Sequence, residues 1–196
     1  MSKACLSRIW SDEHNKIVKE INVASKSIIS TLENDIDEDV VDNIYQVCRF
    51  WTNNTYVGRK KDPKVQKAFQ EFFESFMKLI LAIKDGKIKC DEECKNAFSS
   101  LLYTGIVYRR LGHGNLENIE EEVQPGYNNI YVSWNKERDN PYLDSKLYGP
   151  VTLLVAEIKE PYYGIDLEEL GVCTGSEKEV VFPTFHESII SIEKMR

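Results

Sequence analysis

Long apolar runs are missing from this chain. No segment approaches the roughly 18 consecutive apolar residues that span a bilayer, so no membrane-crossing helix is expected. The start, Met1-Ser2-Lys3-Ala4-Cys5-Leu6-Ser7-Arg8, lacks the apolar core of a signal peptide, and the expected setting is a cytoplasm. Internal repeats, low-complexity tracts and an obvious linker are absent too, which excludes collagen-like, mucin-like and grossly disordered classes. The five cysteines, Cys5, Cys48, Cys90, Cys94 and Cys173, are an odd number and cannot all pair, so reduced thiols are expected rather than a disulfide framework. Cys90 and Cys94 are four apart on one helical face, but two thiols without a second nearby pair fall short of a closed zinc site. The histidines, His14, His113 and His186, are scattered and form no ligand pattern; no metal is expected. A Gly-x-Gly-x-x-Gly dinucleotide fingerprint is likewise absent.

What is there is the balance of a folded domain: 196 residues, 42% hydrophobic and 29% charged. The net charge of -7 is unevenly placed. Residues 1–100 carry 16 basic and 16 acidic side chains, whereas residues 101–196 carry 9 basic and 16 acidic. An acidic second half is a poor general binder of phosphate backbones, although a local basic groove is compatible with it. Arg59-Lys60-Lys61 with Lys64 and Lys67 is the one basic cluster, read as a solvated loop and helix start, with a nucleic-acid path or an acidic docking partner as the functional alternatives.

Helical periodicity dominates the first hundred residues. Ser11 is placed to cap a helix with Asp12 and Glu13 in its first turn, followed by the stripe Ile17, Ile21, Ala24, Ile28 and Leu32. A break at Asp35 to Asp39 precedes a second stripe from Val40 to Trp51, and Asn53 to Gly58 reads as a loop. Asp62-Pro63 starts a third helix, with Val65, Phe69, Phe72, Phe73, Phe76, Ile80 and Ile83 on one face and Asp85-Gly86 at its end. Asp91 caps a fourth helix expected to run through Leu102 and close near Gly105.

The pattern then changes to strands. Residues 106–111, 129–134, 151–158, 179–183 and 188–192 read as strands, with a turn at Gly112 to Asn115, an acidic patch at Glu120 to Glu122 and a short helix from Pro141 to Tyr148. Helices first and strands second indicate an α+β protein, with a helical lobe over 1–104 and a β-rich core over 105–196, expected to pack as one unit.

Three segments of the second half stand out. Tyr108-Arg109-Arg110 puts arginine into an otherwise apolar strand. Ser133-Trp134-Asn135 puts a serine at a strand end. Glu177-Lys178-Glu179-Val180-Val181-Phe182-Pro183 sets two carboxylates two apart where a loop becomes a strand, so both point the same way and address one place. Singly each has a plain reading: a strand-edge arginine, a turn serine, a solvated face. In this order they resemble the motifs of the mono-ADP-ribosyltransferase family, in the toxin-like branch whose signature is Arg, then Ser, then Glu-x-Glu. Tyr163-Gly164-Ile165-Asp166-Leu167 is similar to the family's approach to its acceptor-recognition loop. Two departures are visible: Trp134 and Asn135 replace hydroxyl residues after Ser133, and Arg110 stands where many members have glycine.

The resemblance implies a split antiparallel β-core and an enzyme that cleaves NAD at the nicotinamide–ribose bond, transferring ADP-ribose to a macromolecular acceptor. Glu179 is implied as the catalytic carboxylate, Ser133 as the residue that holds it, and Glu177 as the residue that handles the acceptor, which favours protein arginine. Arg109, with Tyr108 and Arg110, is implied to bind NAD together with Ser133 and Glu179, and Gly171 to Ser176 to present the acceptor. Trp134, Tyr131 or Tyr108 is a candidate to stack on a ring. NAD is the substrate, with no metal and no membrane partner. The alternatives are ADP-ribosylation of RNA or DNA, an NAD glycohydrolase and a non-enzymatic helical interaction module. As in toxins, the setting is the cytoplasm of the producer, with an antitoxin or inhibitor protein as a further partner, or that of a target cell.

Overall fold

A serine begins the first helix as the sequence expects. The Ser11 hydroxyl accepts the His14 amide at 3.1 Å, and Asp12 and Glu13 in the first turn face the positive end of the helix dipole. The computed structural model describes residues 11–32, 39–52, 62–111, 131–141, 151–173, 177–183 and 186–195. The expected loop at 53–58, Arg59 to Lys61 of the basic cluster, the turn and acidic patch at 112–122, His113, the helix from residue 142 and residues 174–176 of the loop lie outside them.

The chain divides into two compact units, Met1–Leu101 and Leu102–Arg196, a break slightly ahead of the expected 104/105 boundary. The first unit is helical. Helix α1 (Asp12–Ile29) buries Ile17, Ile21, Ala24 and Ile28 and passes into a 3-10 turn, Ser30–Leu32. Helix α2 (Val40–Thr52) starts where Asp39 accepts the Val41 amide at 2.8 Å and buries Val41, Ile44, Val47 and Cys48. Helix α3 (Pro63–Lys84) has Asp62 as its cap, accepting from Lys64 at 2.8 Å, with proline at the first position where no amide partner is needed. Phe69, Phe72, Phe73 and Phe76 are buried on it, and Trp51 meets Phe73 edge-on at 4.8 Å. Gly86, at φ +72, takes the left-handed turn just after α3.

Helix α4 (Glu92–Ser99) is capped by Asp91, which accepts the Cys94 amide at 2.8 Å. It is shorter than its apolar spacing suggests. Leu102–Tyr103 form a strand, β1, because Leu102 pairs with Ile165 and Tyr103 with Gly164; a long-range ladder takes residues that locally extend the helical stripe. Cys90 lies ahead of the Asp91 cap rather than on the helix, so it does not share a helical face with Cys94. No described helix is long and apolar enough to cross a membrane.

The second unit is an antiparallel sheet of β1, β2 (Gly105–Leu111), β3 (Tyr131–Asn135), β4 (Val151–Ile158), β5 (Gly164–Asp166), β6 (Glu179–Pro183) and β7 (Ile189–Met195). The strand order is β1-β5-β6-β3-β2-β4-β7. The class is thus α+β. Val107, Leu111, Trp134, Leu154, Ala156, Ile158, Val180 and Phe182 form one buried cluster on one face. Leu153 and Val155 are buried on the other, with Ile106 and Tyr108 against them. Gly164 packs tightly where it stands: a Cβ there would run into the Val180 side chain and crowd that of Ile158.

The ladders are uneven. β2 and β4 pair continuously from Gly105↔Ile158 to Leu111↔Thr152, and β3 pairs with β6 from Tyr131↔Pro183 to Asn135↔Glu179. Between β2 and β3 the only pair among the described residues is Tyr108↔Asn135. Among the described residues the sheet therefore consists of two arms, β1-β5-β6-β3 and β2-β4-β7, joined at one residue pair.

Candidate functional site

Strand alternation decides which side chains face which way around that joint. On β3, Val132 and Trp134 belong to the buried cluster, so Ser133 and Asn135 face the opposite side. On β6, Val180 and Phe182 belong to the same cluster, which turns Glu179 and Val181 to the side of Ser133. Asn135 lies directly across from Glu179, and Ser133 is its diagonal neighbour. The Ser133 hydroxyl donates to Glu179 Oε1 at 2.5 Å. The bond restrains the Glu179 side chain on the face it shares with Ser133.

Arg109 reaches the same serine from the other arm. Beyond Tyr108↔Asn135 no backbone pair joins β2 to β3 among the described residues, so β3 groups facing β2 there take other partners. Arg109 Nη1 donates to the Ser133 carbonyl at 3.1 Å. Ser133 thus takes a guanidinium at its main chain and gives a hydroxyl proton to Glu179. These residues are 24 and 46 positions from the serine; each bonds Ser133, one at its carbonyl and the other at its hydroxyl.

The two arginines occupy different sides. Arg109 falls between Val107 and Leu111 and shares their face, whereas Tyr108 and Arg110 alternate onto the face of Ser133 and Glu179. Tyr108 packs beside Leu153 and Val155, and Trp134 is buried in the core, 2% exposed, which leaves it no face for stacking on a ligand. Tyr131 is half-buried at the start of β3.

Glu177 lies ahead of β6 and is half-buried. Cys173 senses both glutamates: burial pushes its thiol up to about 12, and the Glu179 and Glu177 carboxylates push in the same direction. The intervening Lys178 points elsewhere. Its carbonyl accepts the Lys136 amide at 2.9 Å, and its ammonium pairs with Glu168.

That pair belongs to a network without a local signature in the sequence. Lys136 Nζ lies 2.8 Å from Asp166 Oδ2 and 2.6 Å from Glu168 Oε2, and it sits 5.8 Å from the centre of the Tyr103 ring. Asp166 Oδ1 meanwhile accepts the amides of Glu168 at 3.0 Å and Glu169 at 3.2 Å, fixing the turn after β5. Burial pulls the Lys136 ammonium down, but its bonds to Asp166 and Glu168 more than reverse this, leaving it above the ordinary lysine value. The Lys136 and Lys178 bonds hold the Glu168 carboxyl below the usual carboxylate range.

The loop expected at Gly171 to Ser176 begins with Gly171 in the left-handed region at φ +80. Cys48, Cys90, Cys94 and Cys173 are free thiols, His14 is buried within α1, and no group of metal-binding side chains occurs among the described residues. In chemical terms, one face of the sheet offers the Glu179 carboxylate bonded to Ser133, with Arg110 on the same face, whereas Arg109 lies on the other face with its guanidinium on the Ser133 carbonyl. Such a set serves to stabilise positive charge beside it and to bind an anion across from it. No family model, curated protein or solved structure matches the chain.

Proposed function

We propose that the chain is a mono-ADP-ribosyltransferase, acting on NAD and most readily on protein arginine. The observation that carries this reading is the pair of hydrogen bonds on Ser133: its hydroxyl to Glu179 and its carbonyl from Arg109, at a joint between two sheet arms. The ordered residues Arg109, Ser133 and Glu179 are those that the family resemblance selects, and a split sheet is the core it implies.

On this reading Glu179 accepts a hydrogen bond from the 2′-hydroxyl of the nicotinamide ribose and opposes the positive charge that develops as the glycosidic bond breaks. Ser133 keeps that carboxylate aimed. Arg110, on the same face, supplies donors for the pyrophosphate, and Arg109, on the opposite face, acts through the Ser133 carbonyl that it holds. Glu177 orients the incoming acceptor nitrogen and takes its proton; a guanidinium suits it because a carboxylate pairs with it bidentately. The free thiols fit work in a reducing cytoplasm.

The test is incubation with NAD labelled in its adenylate half and a whole-cell lysate, followed by separate protease and nuclease digestion. Label released by protease supports a protein acceptor, label released by nuclease moves the acceptor to nucleic acid, and free ADP-ribose alone indicates water. Glu179→Gln keeps the size of the side chain and removes its charge, so NAD cleavage and transfer should fall together by at least ~100-fold. Near-full cleavage by this variant would place the catalytic carboxylate elsewhere.

A further inference from the structure

Glu177 and Glu179 lie on the one short segment that the Lys136, Asp166, Glu168 and Lys178 network grips. The grip is applied from three sides. The Lys136 amide holds the Lys178 carbonyl at 2.9 Å, the Leu167 amide holds the Glu179 carbonyl at 3.0 Å, and the Lys178 ammonium pairs with Glu168. The partners of these bonds are themselves fixed. Asp166, 6% exposed at its side chain, ties the turn after β5 together and pairs with Lys136, whose side chain is 18% exposed. Within the turn, Gly171 N bonds Glu168 O at 2.8 Å and Val172 N bonds Leu167 O at 3.2 Å.

The network therefore closes the base of the stretch that leaves Asp166 and returns at Lys178. In an extended segment, anchoring the middle side chain to one side forces its two neighbours to the other. Glu179 has further supports, since it is in register with Asn135 and bonded to Ser133. Glu177 precedes the ladder and is the chain neighbour of Lys178, whose ammonium pairs with Glu168.

We propose that Lys136, Asp166, Glu168 and Lys178 form a positioning clamp that fixes Glu177 relative to Glu179, so that Lys178 governs how efficiently an acceptor, rather than water, is used. This rests on the transferase reading above. None of the four is a catalytic residue; they act through the two glutamates.

Lys178→Met keeps the length of the side chain and removes the ion pair. Displacements of about 1 Å in a reacting group commonly cost ~100-fold, and a loosened but still tethered Glu177 should lower the ratio of transfer to hydrolysis by ~10-fold. NAD hydrolysis should stay within about threefold, because Glu179 keeps its own supports. Lys178→Arg should restore the ratio. A loss confined to stability would move neither the ratio nor its rescue. Hydrogen exchange at the Lys136 and Leu167 amides gives a readout independent of activity, and both should exchange faster in Lys178→Met. An unchanged ratio in Lys178→Met overturns the proposal, as does unchanged exchange at both amides. A wild-type chain that cleaves no NAD defeats the transferase reading and with it the claim about acceptor use; faster exchange in the variant would then still identify the anchor, so the two failures are distinguishable.

Discussion

The helical unit and the sheet unit use charge in opposite ways. In the helical unit, two ion pairs of α3 are local and exposed: Lys67 with Glu71 at 3.6 Å and Lys78 with Glu74 at 3.1 Å, each four residues apart. In the sheet unit, the Lys136–Asp166 pair joins residues 30 positions apart at 2.8 Å, and Lys178 meets Glu168 across the turn after β5. The first arrangement follows from any amphipathic helix with mixed charge on its wet face. The second exists only after the chain has folded, and it surrounds the candidate glutamates. The charge pairs of α3 keep a face solvated, whereas the Lys136, Asp166, Glu168 and Lys178 network specifies positions.

The sharpest way to stress this contrast is to remove core from the helical unit. Phe72 is fully buried on α3 and meets Phe73 edge-on at 5.2 Å. Phe72→Ala should destabilise the unit by about 3–5 kcal/mol, because the lost ring leaves a cavity that neighbours only partly fill. Peptide-resolved hydrogen exchange under native conditions checks it, with the loss expected in residues 12–99. Equal loss of protection in β2 to β7 would show that the two units unfold as one and would weaken the division drawn here.

Asp166 tests the other side of the comparison at a smaller expected cost. Asp166→Asn retains an acceptor for the Glu168 and Glu169 amides but removes the charge facing Lys136, and about 1–2 kcal/mol should be lost. Asp166→Ala also removes the acceptor and should cost about 2–4 kcal/mol. Urea unfolding of both variants gives the difference. If Asn and Ala cost the same, the ion pair contributes everything and the turn bonds nothing, contrary to the geometry of a side chain serving both.

The same contrast explains what could be read in the sequence. Stripes and caps wrote out the helices: Ser11, Asp62-Pro63 and Asp91 all occupy the cap positions that their spacing announced. Longer strands, such as Val151–Ile158, were visible from β-branched and apolar runs. Leu102–Tyr103 and Gly164–Asp166 were not, because two or three residues are too few for alternation and their strand character comes from pairing with each other. Leu101 and Leu102 even imitated a continuing helix. At the site, the order of Arg109, Ser133 and Glu179 was legible by resemblance, and their meeting was an expectation that depended on it. The partner of Arg109, a backbone carbonyl exposed by a one-pair ladder, required knowledge of register. Lys136 and Glu168 carried no signal, since nothing local tells a network lysine from a solvated one.

The smallest expected effect belongs to the pair that looks most like the clamp on paper. Lys78 and Glu74 lie 3.1 Å apart, yet their side chains are 53% and 60% exposed. Water screens both charges, and holding two long side chains together costs rotamer freedom that offsets much of the attraction. The order also runs acid before base along α3, the better orientation for a pair four apart, so a small favourable residue is expected. Lys78→Ala, Glu74→Ala and the double variant form a cycle from which the coupling should emerge at about 0.3–0.5 kcal/mol. The coupling should shrink further on raising salt from 0.1 M to about 1 M, as the screening length falls to ~3 Å. The same cycle on Lys136 and Asp166 should give a larger coupling that resists salt, because those side chains are mostly shielded from solvent. Equal couplings in the two cycles would mean that long-range placement adds nothing to an ion pair in this protein, and the distinction between solvating and positioning charge would fail.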